Sequence, residues 1–412
     1  MTRNAERQHS LMLIALVGLA LGVALWDQTV VLYGLVGGDF CQDYFAARAA
    51  RLGYSLFDPA VQHLADSVAA FGEVGNYHPP TLTLFFLPFS YLSYPAAFLL
   101  LSLASIILWL WLTWNSFCEF EASQPTRLLV LGLALLWYPF IYCIGTGQSS
   151  ALIAALIWAG WLKHRRSQPL LTGLFWGLAA SIKLFPALLV ILLLLWREWR
   201  ALFAMLATIV ATVAAAALVF GTTDLWRYSV EIMPSQMQRF SSFILNNSLN
   251  GFFVQILTGS DHLALDWNRP VAAYWCSKIA IGLTLLLLVY AAKTLKNRKD
   301  KDLVIALYVT GMLLVSPLTW NHAFLLLAPV FALVATQNSG VLVRLLALLC
   351  FAGLSIPDTE LTRYLVTTNT LGELSITKFF LIKLPFFALL GLLFLCLSQI
   401  TKDGRSLTKE QT

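Results

Sequence analysis

The chain has 412 residues, of which 59% are hydrophobic and 12% charged, with a mean hydropathy of +0.75. Water-soluble domains carry roughly a quarter charged residues, so this composition excludes most soluble classes and marks an integral membrane protein. The net charge of +6 would suggest nucleic acid in a soluble chain, but basic residues of membrane proteins sort by side, and their placement carries the information.

In chain order, a basic flank (MTRNAERQHS) leads into an apolar run at 11–36 with no small-residue cleavage site after it, which reads as a retained first span. Further apolar runs fall at 93–114, 127–144, 148–162, 169–182, 184–197, 200–221, 271–293, 303–317, 321–336, 341–357 and 378–399. This predicts an all-α membrane protein of about twelve spans. Several runs fall short of the roughly 20 residues that cross a bilayer, so they sit at thinned places or line a cavity.

The breaks KHRR (163–166), REWR (197–200) and KTLKNRKDKD (293–302) land on one side of this thread, together with Arg3, Arg7, Arg127, Arg344, Lys402, Arg405 and Lys409. Positive loops stay cytoplasmic, which places both termini inside. Three longer segments then face outward: 37–92, 222–270 and 358–377. In the first, Pro79, Pro80, Pro88 and Pro95 interrupt an apolar stretch. Internal prolines remove backbone hydrogen bonds, so a juxtamembrane or re-entrant helix is expected there instead of a span. The chain reads as one polytopic domain, 1–412, without a soluble module.

The polar chemistry gathers in the outer segments. Asp39 and Asp43, four residues apart in GGDFCQDYFAARAARLGYSLFDP, share a face if the segment is helical. They read either as a general base at the membrane boundary or as the acidic start of a surface helix. Tyr77-His78-Pro79-Pro80 is a rigid aromatic and imidazole pair, suited to a substrate cleft or to the interfacial belt. GTGQSS (145–150) is no phosphate-binding loop of Walker type; its Gln148 either contacts a sugar hydroxyl or caps the next helix.

Lys183, in GLAASIKLFPALL, sits where an isolated lysine is costly and needs an anion, a phosphate or the lipid headgroups. Asp27, in or near the first span, is unusual on the same grounds. RFSSFILNNSLNGFF places Arg239, Asn246, Asn247 and Asn250 among aromatics, and SPLTWNHAF places Trp320, Asn321 and His322 at a span boundary. His322 reads as a phosphate contact, a carboxylate orienter or an interfacial histidine. The six cysteines lack metal or redox spacing, and no dinucleotide fingerprint, Walker motif or HExxH occurs.

The order of these motifs resembles the membrane glycosyltransferases of the GT-C fold, most closely glycosyltransferase family 87. The residues that carry the resemblance are Asp39, Phe40, Tyr44, Ala46, Ala47 and Gly53, then Tyr77-His78-Pro79-Pro80, Gly147-Gln148, Gly177 with Lys183 and Pro186, Asn247-Ser248-Leu249, and Ser316-Pro317 with Trp320 and His322. The resemblance implies a GT-C bundle with a long first extracytoplasmic loop. It also implies inverting transfer of a hexose, mannose above others, from a polyprenyl-phosphate donor to a lipid or glycan acceptor. Carried onto this chain, Asp39 is the base, with Asp43 able to share or replace it. Lys183, His322 and Arg239 grip the donor phosphate, while Tyr44, Tyr77, His78, Gln148, Asn247 and Trp320 line the substrates. The implied enzyme needs no metal or cofactor, works as a monomer in the inner (plasma) membrane among its lipids, and binds no nucleic acid. A transporter or flippase is the competing class. It predicts paired broken helices in two halves, whereas the long polar segments here concentrate on one face.

Overall fold

The computed structural model describes residue 18 and residues 38–409, apart from 70, 264–266, 296–297, 337–339 and 368–374. Asp27 and the first apolar run, residue 18 apart, lie outside the described residues. Within them the chain is helical, with one isolated antiparallel bridge, Ser260 to Leu263. Three helices are long and apolar enough to cross a bilayer: Tyr94–Glu119, Trp199–Phe220 and Pro270–Thr294. Three further pairs pass as broken spans, each bent by 48° to 55°, so the described residues supply up to six. The chain is an all-α membrane protein.

Several sequence-predicted runs break inside. The run at 127–144 becomes Gln124–Leu135 and Tyr138–Thr146, bent by 48°. Pro139 sits in the first turn of the second piece, where a missing N–H costs nothing. The run at 378–399 divides at Lys383 into Ile376–Ile382 and a helix starting at Leu384, bent by 53°. The proline-rich stretch folds as a short helix Pro80–Phe86 and a 3₁₀ turn Leu87–Tyr91, after which Tyr94–Glu119 begins with Pro95 in its first turn.

Two compact units divide the chain. The first comprises residues 1–184 and 200–236, the second residues 185–199 and 237–412. In the first unit, Ser150–Arg165 packs between Tyr94–Glu119 and Pro169–Ile182. Small residues set the close approaches. A Cβ on Gly173 would lie 2.2 Å from the Ala201 carbonyl oxygen, and one on Gly177 would lie 2.8 Å from that of Met205. Gly173, Gly177 and Ser181 thus form a small-residue stripe that seats Pro169–Ile182 on Trp199–Phe220, closed by a 2.6 Å Ser181–Thr212 hydroxyl contact. At the far end of this unit Glu119 takes Arg165 at 3.0 Å and Arg166 at 3.2 Å, and the Arg127 guanidinium lies over Trp114.

In the second unit Pro270–Thr294 packs on Leu249–Thr258 and on Arg298–Val315, and the last helix packs on Val341–Leu354 and Arg298–Val315. The turn around Asn246 and Asn247 is held by buried polar groups. Lys383, fully buried, donates to the carbonyls of Ile244 and Asn246, the latter at 3.0 Å. Asp358, 2% exposed, accepts from Asn247 at 3.1 Å and from Asn321 at 2.7 Å. Each charge lies in the field of the other. Removing one member of a buried ionic set leaves the other uncompensated, so Lys383→Met is expected to destabilise the protein by about 3–5 kcal/mol. Thermal unfolding of detergent-solubilised protein measures this, and an unchanged midpoint would refute it.

Candidate active site

The first outer segment opens with the helix Gly38–Arg51. Its apolar face, Phe40, Tyr44, Phe45, Ala46, Ala47 and Ala49, is fully buried. Phe40 meets Phe86, Tyr94 and Phe98 with centroids 5.3 to 5.8 Å apart, a packed aromatic cluster. The helix ends at Gly53, whose φ of +87° turns the chain left-handed and closes the helix through Tyr54 N–H to Ala49 C=O. Beyond it, Asp224 on Thr222–Arg227 accepts from the Ser55 hydroxyl at 2.6 Å and the Leu56 amide at 2.9 Å, fastening the segment.

Asp39 stands in the first turn of this helix, where the dipole favours a carboxylate. Its Oδ2 accepts from Gln148 Nε2 at 2.6 Å, and its Oδ1 from Gln42 at 3.3 Å. Gln148 Oε1 in turn accepts from Lys183 Nζ at 3.0 Å. One buried carboxamide, 5% exposed, therefore holds a carboxylate on one side and an ammonium on the other. The Gln148 side chain is turned to this bridge, which neither sequence reading had named.

The bridge depends on local backbone. Tyr138–Thr146 ends at Gly147 in the left-handed region, φ +70°, and the Gln148 amide returns to the Cys143 carbonyl at 2.9 Å. A Cβ on Gly147 would lie 2.5 Å from Phe40 Cβ and 2.9 Å from Phe98. Gly147→Ala is thus expected to destabilise by about 1–3 kcal/mol through overpacking and the disfavoured φ, measurable as a lowered unfolding midpoint. Lys183 follows Ile182, the last residue of Pro169–Ile182, just before the 3₁₀ turn Phe185–Leu188 that Pro186 stiffens.

Asp43, one turn beyond Asp39 and 2% exposed, pairs with His78 Nδ1 at 2.8 Å. Facing a carboxylate, Nδ1 carries the proton, and the ring is 19% exposed. Asn76 accepts from the His78 amide at 3.1 Å, and Thr81 donates to the Ser181 carbonyl beside Lys183. The Tyr77-His78 turn is thereby tied to both Asp43 and the lysine end of Pro169–Ile182. Tyr77 is half-buried. Tyr44 is fully buried, its hydroxyl donating to the Leu92 carbonyl at 2.7 Å. Burial, then the charges of Asp39 and Asp43, push the Cys41 thiol up to about 12, so it offers no nucleophile at neutral pH.

The remaining sequence candidates belong to the second unit. Asn247 is fully buried and joins Asn321 and Asp358. Trp320 packs edge-on against Phe240 and Phe243, while His322 is buried in the 3₁₀ turn Asn321–Leu327. Arg239 is exposed, its guanidinium 5.5 Å from the Phe240 ring centre. Sequence reasoning passed over Asp224, Asp358 and Lys383. The signal for Lys383 is present: IKLPF (382–386) echoes IKLFP (182–186), a lysine stranded in an apolar run before a proline. Among the described residues no group of three or more His, Cys, Asp or Glu is placed to hold a metal ion.

The profile of glycosyltransferase family 87 matches residues 76–317, more than half of the chain. The chain belongs to glycosyltransferase family 87 and is a membrane glycosyltransferase. It is similar to the polyprenol-phosphate-mannose-dependent alpha-(1-2)-phosphatidylinositol mannoside mannosyltransferase of Mycobacterium tuberculosis, 23% identical over 358 residues, which cover 79% of this chain and 80% of the relative.

Proposed function

We propose that this protein transfers a hexose, mannose in the first instance, from a polyprenyl-phosphate donor to a hydroxyl of a lipid or glycan acceptor, with inversion at the anomeric carbon. The observation that carries the reading is the Asp39–Gln148–Lys183 bridge. The acceptor oxygen attacks the anomeric carbon, its proton passes to Asp39, and the bond from that carbon to the phosphate oxygen breaks with its electron pair leaving on the polyprenyl phosphate. Lys183 faces that growing negative charge with the donors its ammonium does not spend on Gln148. His78, oriented by Asp43, stands as a further donor or acceptor for a substrate hydroxyl. His322, Arg239, Asn247 and Trp320, which belong to the second unit, keep only their sequence-based assignment to phosphate and substrate.

The GT-C architecture of about twelve crossings in one polytopic domain, with the three outer segments, and monomeric action in the plasma membrane with cytoplasmic termini, belong to the same proposal. Charge placement supports the orientation. Arg165 and Arg166 stand at the opposite end of Ser150–Arg165 from Gln148, about 24 Å away at 1.5 Å per residue, which puts the bridge on the side away from the basic ends.

The test is transfer in proteoliposomes supplied with polyprenyl-phosphate mannose, polyprenyl-phosphate glucose, and phosphatidylinositol mannosides as acceptors. Formation of an inverted product from the mannose donor supports the proposal. Lack of transfer from every lipid-linked donor, with flux of the donor across intact vesicles, would replace it by a transporter.

A further inference from the structure

A concavity lies in the second unit and includes no residue used above as base or bridge. It encloses about 300 Å³, at the small end of ligand pockets, and is walled by Phe243, Leu245 and Val366 on the apolar side and by His262, Thr362 and Arg363 on the polar side. The Arg363 side chain is exposed and, among the described residues, makes no ion pair. Nearby Asp261 is already engaged, accepting from the Ile244 amide at 2.9 Å and facing His262 at 3.5 Å. The open polar valence here is therefore for an anion.

The setting selects the kind of anion. Arg363 and Thr362 lie on Asp358–Thr367, which turns by 55° from the apolar helix Val341–Leu354 and exposes Tyr364 at 64%. The two pieces together make one broken span, and an exposed tyrosine on its second piece is the residue type of the interfacial belt. We propose that this pocket binds the phosphate of an acidic glycerophospholipid, gripped by Arg363 and His262, with the first chain carbons against Phe243, Leu245 and Val366. The volume accepts a headgroup and a short length of chain. The site does not rest on the assignment of Asp39, since none of its residues takes part in the bridge.

The full-length protein in phosphatidylcholine vesicles containing a diazirine-bearing phosphatidylglycerol tests it, with cross-links mapped by peptide. Cross-links are expected within 359–367 and 243–245, lowered roughly tenfold by Arg363→Gln and largely kept by Arg363→Lys. Unlabelled phosphatidylglycerol should compete, and phosphatidylcholine of equal chain length should not. Equal competition by phosphatidylcholine would make the pocket merely apolar. Competition by inorganic phosphate would make it a free-anion site, and an unchanged yield in Arg363→Gln, a variant at an exposed position, would overturn the proposal outright.

Discussion

Asp39→Asn is expected to lower the rate of sugar transfer by roughly 10²- to 10⁴-fold, the range that a positioned general base supplies. The substitution keeps size and shape, and the asparagine carbonyl can still accept from Gln148 Nε2, so the 2.6 Å contact has a surviving counterpart and the fold a reason to persist. What disappears is the capacity to take the acceptor's proton. The loss should therefore fall on kcat, with donor KM little changed. Asp43→Asn separates the two carboxylates. It weakens the hold on His78 but leaves Asp39 and its bridge in place, so a smaller loss is expected. Full activity in Asp39→Asn, with Asp43→Asn inactive, would move the base to Asp43.

Lys183→Gln is expected to cost roughly 10²- to 10³-fold in kcat, comparable to removing one preorganised donor from a developing anion. The ammonium has three protons, of which Gln148 takes one at 3.0 Å. A glutamine can renew the contact with Gln148 but brings no charge to a leaving phosphate. Lys183→Arg should restore part of the activity, because the cation returns in a bulkier fork. A variant that unfolds would show a lowered melting midpoint together with lost donor binding. Loss of kcat at an unchanged midpoint is the signature of the electrostatic role. If Lys183→Gln transfers at the wild-type rate, Lys183 serves packing alone.

Hydropathy read the apolar helices well where a helix is straight. The run at 169–182 coincides with Pro169–Ile182, and 200–221 with Trp199–Phe220 to within a residue. It was blind to direction, so the bends after Leu135, Leu354 and Ile382 were invisible in runs whose apolar character does not change. At the candidate site, the i, i+4 spacing placed Asp39 and Asp43 on one helix, and the cost of a stranded cation singled out Lys183. The bridge through Gln148 could not be read, because it joins positions 109 and 35 residues apart along the chain. Asp224 carried no local signal at all. Its partners, Ser55 and Leu56, are an ordinary hydroxyl and an amide far upstream. Lys383 did carry the signal that Lys183 carried, and the same argument applied evenly along the chain would have found it.

Lys183, half-buried, and Lys383, fully buried, also bear on how the protein is made. Every contact of the Lys183 ammonium lies earlier in the chain, on Gln148 and through it Asp39, and Lys383 likewise follows Ile244, Asn246 and Asp358. During synthesis the residues that solvate each ammonium have already emerged when the lysine reaches the membrane. Insertion of both short apolar helices with a cation at their ends is then a docking step onto finished neighbours, and a chain circularly permuted to deliver either lysine first would strand a charge among lipids with nothing to receive it.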